Sequence, residues 1–229
     1  MRVLLLIIFC AIAWANFGTD AATVAPSKLL GNEIYRITFI GNSLTLHTPK
    51  KELGWSNSWG MAASAQDRDY AHRTGAALGL PVSVFNLAAL ESDPENNLSR
   101  IAEVTRDIRA TTVVVVELGD NVQPASQEKF IDAYERLLDA AKGLQLICLS
   151  TWWKNEPLDR VLEQQCVSHG GRYVHIGDIR ADAARLDAGG PQFSDPGVNA
   201  HPHDSGMAMI SERIVAAVRS FQGRADVGN

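Results

Sequence analysis

The stretch Val113-Val114-Val115-Val116-Glu117-Leu118-Gly119-Asp120-Asn121 decides the architecture. Four consecutive β-branched residues leave neither face of a strand polar, which is the pattern of a central strand covered by helices on both sides. Outward from it, residues 112–118 are one of five short apolar runs, the others being 35–40, 82–87, 144–150 and 172–176. Longer amphipathic stretches at 58–78, 95–109, 126–142 and 158–169 alternate with them, and a last one covers 205–221. Within the third, Ile131, Tyr134, Leu137, Leu138 and Ala141 recur at helical spacing and are expected to face the sheet. Strand and helix in alternation imply βαβ units. The expected fold is therefore α/β, a three-layer α/β/α sandwich around a parallel sheet of about five strands. The 229 residues, 46% hydrophobic and 21% charged, suit a single core.

The ends of the chain read differently. Residues 1–15 have the form of a secretory signal: Arg2, an apolar run from Val3 to Trp14, then Ala13-Trp14-Ala15 as a small-x-small cleavage site. That run is shorter than the roughly 20 residues a bilayer-crossing helix needs, so a secreted or periplasmic chain without stable membrane insertion is expected. Residues 16–32 read as a polar linker, 33–222 as the folded domain and 223–229 as a tail. Losing Arg2, the single charged residue of the leader, moves the formal net charge from −5 to −6. An acidic chain of this kind is not expected to bind nucleic acid and suits a small or neutral substrate. Cys148 and Cys166 remain after cleavage, and are expected to lie buried in a strand and the next helix, unpaired, although an oxidising compartment permits them to join.

Parallel sheets of this type place ligands beyond the carboxyl ends of their strands, so chemistry is sought in the loops that follow strands. In Ile37-Thr38-Phe39-Ile40-Gly41-Asn42-Ser43-Leu44-Thr45 the strand passes without a spacer into Gly-Asn-Ser. Such a turn exposes a serine hydroxyl at the sheet edge, where a base can activate it, and its own amide can face a developing oxyanion. A serine there equally caps the turn that follows. The central strand runs into Gly119-Asp120-Asn121-Val122, and the second into Asn86-Leu87-Ala88-Ala89-Leu90-Glu91. Near the end, Asp195-Pro196-Gly197-Val198-Asn199-Ala200-His201-Pro202-His203-Asp204 precedes the last helix, which Asp204 or Ser205 is expected to cap.

Taken together, Gly41-Asn42-Ser43-Leu44, Gly119-Asp120-Asn121 and His201-Pro202 resemble the sequence blocks of the SGNH (GDSL-type) hydrolases, over nearly the whole chain after the leader. The resemblance implies a flavodoxin-like fold and ester hydrolysis without a cofactor. It implies Ser43 as nucleophile, His201 as base, and the Ser43 amide with the Asn121 side chain as oxyanion donors. Four positions depart from the pattern. Asn42 stands where the family usually has aspartate, and Val122 where its third block ends in an acid. The second block lacks its glycine, so an amide at Ala88 or a neighbour is expected to serve, with Glu91 near the pocket mouth. Val198 stands where the family has the aspartate that orients the histidine, so either Asp195 reaches back or a backbone carbonyl holds the imidazole in a Ser-His dyad; Asp195 is the expectation. His201, His203 and Asp204 as metal ligands are a lesser alternative, and no metal is expected.

Trp59, Trp152 and Trp153 fall near these loops and suggest a carbohydrate ester, since aromatic faces stack on sugar rings; any of them equally packs into the core. An O-acyltransferase and a non-catalytic carbohydrate-binding protein on the same fold are the competing readings.

Overall fold

The computed structural model describes the backbone at residues 28–29 and 32–33 and the chain over 36–188 and 193–222. The expected leader, most of the linker and the expected tail lie outside the described residues. Across the end of the expected linker, Lys28–Leu29 and Asn32–Glu33 pair as a short antiparallel ribbon.

Five parallel strands form the central sheet: β1 (Ile37–Gly41), β2 (Val82–Asn86), β3 (Val113–Glu117), β4 (Gln145–Leu149) and β5 (Arg172–Val174). Their order is β2-β1-β3-β4-β5. Ile37 is in register with Val82 on one side and Val113 on the other. The principal helices are α1 (Tyr70–Leu78), α2 (Ser99–Arg109), α3 (Gln127–Ala140), α4 (Glu156–Ser168), α5 (Arg180–Leu186) and α6 (Asp204–Gln222).

Strand alternation builds two cores. Ile37, Phe39, Val113, Val115, Ile147 and Leu149 face α1, α5 and α6, which contribute Tyr70, Ala183, Met207 and Ile214. Ile40, Val114, Val116, Leu146 and Cys148 face α2, α3 and α4, with Ile108, Phe130, Leu137 and Leu162. Successive strand side chains point to opposite faces, so the valine run feeds both layers. The fold is the expected α/β/α sandwich. Its topology reverses between β1 and β3, which opens a crevice at their carboxyl ends.

Three expectations are corrected. The helix expected over 58–78 is confined to Tyr70–Leu78. Ala62 lies in the left-handed region at φ 70°, and Asp69 starts the helix by accepting the His72 amide at 2.8 Å. The freed segment docks under the first loop, with the Met61 amide donating to the Ser43 carbonyl at 2.9 Å. Cys148 on β4 and Cys166 on α4 are joined in a disulfide rather than unpaired. The helix covers the strand closely, and the 6.1 Å between their Cα atoms is within bridging range. Finally, the first turn of α6 is capped from a distance: the Ser205 amide donates to Asp187 Oδ1 at 3.1 Å. Asp204 instead accepts the Ser64 amide and hydroxyl at 2.9 and 2.6 Å, pinning the 58–69 segment to the helix. Among the described residues no helix is long and apolar enough to cross a membrane.

Candidate active site

The first loop is built around Asn42. Gly41 ends β1 where a Cβ would meet the Glu117 carbonyl at 2.6 Å, so only glycine lets the turn close against β3. The Asn42 side chain accepts the Leu44 amide at 3.0 Å, and its carbonyl accepts those of Thr45 and Leu46. Asn42 is fully buried while Ser43 remains partly open to solvent. No acceptor among the described residues takes the Ser43 amide.

Ser43 and His201 meet across 158 residues of sequence: Ser43 Oγ lies 2.8 Å from His201 Nε2. His201 Nδ1 lies 2.7 Å from the Gly197 carbonyl. A carbonyl oxygen can only accept, so the neutral ring carries its proton on Nδ1 and turns the Nε2 lone pair to the serine hydroxyl. Burial depresses the His201 pKa to about 4, against the opposing pull of the Gly197 carbonyl, so the ring is neutral at neutral pH. Trp153 and this ring pack in a T-shaped arrangement, with centroids 5.0 Å apart at 85°.

The expected contact of Asp195 with the imidazole is not formed. Its Oδ1 accepts the Gly197 and Val198 amides at 2.7 and 3.1 Å, capping a one-turn helix, Pro196–Asn199. The cap holds the turn whose Gly197 carbonyl takes the place of the acid. Val198 is fully buried among Trp55, Met61 and Ala62. His203 packs edge-on against Phe193, and Asp204 is engaged by Ser64, so these two do not join His201 in a ligand set.

Glu91, expected near the pocket mouth, is instead buried in a carboxylate nest with Glu117 and Asp120, two acids the sequence does not single out. Glu91 and Glu117 are fully buried, and Asp120 is mostly so. The Asn42 amide nitrogen donates to Glu91 Oε1 and Glu117 Oε1, each at 3.2 Å, and reaches Asp120 Oδ2 at 3.5 Å. Thr45 Oγ1 donates to Glu117 at 3.1 Å, and the Trp153 amide to Asp120 Oδ1 at 3.1 Å. Burial and the neighbouring Asp120 charge raise Glu117 well above the usual carboxylate range; burial also raises Asp120 and Glu91. The signal was an acid closing an apolar run at Glu117, but its partners come from three loops.

Asn121 Nδ2 donates to Glu91 Oε2 at 2.6 Å, which fixes the side-chain amide and leaves its second hydrogen for another acceptor. Ala88 is different: its amide is taken by Asn86 Oδ1 at 2.9 Å, so it is not available as the expected donor. The tryptophans divide. Trp152 is buried, with its indole N–H on the Ala200 carbonyl at 3.2 Å, so it supports the histidine turn instead of contacting solvent. Trp59 is half-buried, donating to the Ala63 carbonyl and packing edge-on against Trp55. Trp153 packs against His201 of the Ser43–His201 pair and also borders a polar cleft of about 510 Å³ that includes Gly119, Asp120 and Asn155.

No protein-family model and no curated protein sequence matches the chain. Solved structures do. A GDSL-like lipase from Bacteroides ovatus superposes with a TM-score of 0.53 at 12% identity, over 82% of this chain and 100% of that one. A carbohydrate esterase whose active site displays divergent catalytic and non-catalytic binding functions gives 0.54 at 12% identity, over 83% and 70%. A family two carbohydrate esterase from Cellvibrio japonicus gives 0.51 at 14% identity, over 82% of this chain, which spans 62% of that protein. The chain has the α/β fold of SGNH (GDSL-type) hydrolases.

Proposed function

We propose that the protein is a serine esterase working through a Ser43–His201 dyad. The observation that carries this reading is the 2.8 Å contact of Ser43 Oγ with the Nε2 of a histidine whose other nitrogen is held by a carbonyl. In the first step the hydroxyl oxygen attacks the ester carbonyl carbon while Nε2 takes its proton. The tetrahedral oxyanion is met by the Ser43 amide and the free hydrogen of Asn121 Nδ2. The intermediate collapses, the leaving alcohol takes the proton from His201, and the acyl group stays on Ser43. Water then attacks the acyl-enzyme with His201 again accepting the proton, which returns to Ser43 as the acid departs.

Carbohydrate esters are the substrate class this reading favours. Trp153 abuts the dyad beside a polar cleft, as an aromatic platform for a sugar ring would. The likeness to two carbohydrate esterases supports the same class, and the leader-like residues 1–15 support export. Assay of acetate release from acetylated oligosaccharides and from aryl acetates tests it. Higher kcat/KM on the sugar esters, lost preferentially in Trp153→Ala, is expected; equal values for both substrates in wild type and variant would remove the carbohydrate assignment.

The depressed His201 pKa gives a pH signature. The base acts only when unprotonated, so activity is retained below the ordinary imidazole range and lost as the pH falls through about 4. A kcat/KM profile with its acid limb near the unperturbed value of about 6.5 would show that the ring is not desolvated in the working enzyme.

A further inference from the structure

We infer that Glu91 is a positioning residue that aims the Asn121 amide at the oxyanion, an inference resting on the esterase reading. Glu91 lies on the one-turn helix Ala89–Ser92 that follows β2, and its side chain turns inward and is fully buried. Three donors converge on its carboxylate. Asn121 Nδ2 reaches Oε2 at 2.6 Å, while the Gly119 amide at 2.5 Å and Asn42 Nδ2 at 3.2 Å reach Oε1. One carboxylate thereby joins the residue before the nucleophile to two residues of the loop after β3. Gly119 sits at φ +134°, a conformation closed to side chains, with Thr151 and Leu162 filling the space of a Cβ.

The chemistry requires acceptors on both oxygens. An asparagine amide has two hydrogens, and fixing one on Glu91 fixes the direction of the other. An untethered Asn121 would rotate, and an oxyanion donor that must reorganise during reaction loses much of its effect. Glutamine at position 91 keeps the shape but turns one oxygen into a donor, setting N–H against N–H.

The test compares Glu91→Gln, Asn121→Ala and the double variant on a short-chain ester, with Tm measured for each. Glu91→Gln is expected to lower kcat about 10²-fold, in the range for loss of one oxyanion donor, with KM nearly unchanged. In the Asn121→Ala background the same change is expected to have less than about a threefold effect, because the amide it aims is gone. A Glu91→Gln kcat within threefold of wild type, or an equal loss in both backgrounds, overturns the inference while leaving the esterase reading intact. Absence of turnover and of organophosphonate labelling in the wild type overturns both. If Glu91→Gln does not fold, side-chain amide NMR of the wild type decides. One Asn121 amide proton displaced downfield and slow to exchange is expected; a pair at free-amide positions overturns the inference.

Discussion

Replacing Ser43 by alanine is expected to abolish covalent labelling by an organophosphonate and to lower kcat on a short-chain ester by on the order of 10⁵- to 10⁶-fold. His201→Ala is expected to do the same, and the double variant to be no worse than either. Nucleophile and base act as a unit: without Nε2 as proton acceptor the Ser43 hydroxyl is a weak nucleophile, and without the hydroxyl the imidazole has nothing to activate. The 2.8 Å separation makes the pair a unit in this fold. Asp195→Ala is the informative contrast. Its carboxylate caps Pro196–Asn199 and does not touch the ring, so the change is expected to cost about 1 kcal/mol of stability, as for other lost caps, and to lower kcat less than tenfold. A loss at Asp195 as large as that at His201 would mean that an acid, and not the Gly197 carbonyl, holds the imidazole. Labelling that persists in Ser43→Ala would remove the nucleophile assignment. A wild type that binds acetylated sugars without labelling or turnover would favour the binding-protein reading.

Asn42→Asp, the substitution that gives the first block the residue usual in the SGNH pattern it resembles, is expected to be strongly destabilising. The Asn42 amide is the shared donor among Glu91, Glu117 and Asp120. Aspartate removes that donor and adds a further acid to a buried nest. Breaking buried charge compensation of this kind costs about 3–5 kcal/mol, and at about 2–4 °C per kcal/mol for a domain of this size the Tm is expected to fall by roughly 6–20 °C at pH 7. The sign with pH follows from linkage. The added carboxyl titrates near 3.9 when unfolded and higher when folded, because burial and its neighbours disfavour its charge. The folded variant therefore holds a proton that the unfolded chain has released, and its deficit against wild type grows as the pH rises from about 4. Thermal melts at pH 5 and pH 8 measure this; equal deficits at both, or none, would mean that the nest is hydrated or already neutral.

These two results also mark how far the sequence reaches. The strands were legible because each is a local run of β-branched residues, and Val113–Val116 alone implied a sheet covered on both faces. Ser43, Asn121 and His201 were legible as candidates because each stands in a short motif beside a strand end or helix start. The helix over 58–78 was misjudged because its first half trades helical hydrogen bonds for contacts with the Ser43 carbonyl and Asp204, neither nearby in sequence. Ala88 and Trp152 were assigned to the site by position, but their polar groups are engaged by Asn86 and Ala200.

The α/β sandwich follows from the order of residues alone, since strand and helix periodicity and the burial of a valine run are properties of contiguous residues. That order also determines which side chains can carry chemistry. Their orientation is set by the folded chain. A carbonyl from a capped turn stands in for the missing acid, and carboxylates from the end of β3, the loop after it and the one-turn helix after β2 share one asparagine amide. Hydrogen-bond direction and burial depend on groups that the fold brings together from distant parts of the chain, and no local pattern encodes them.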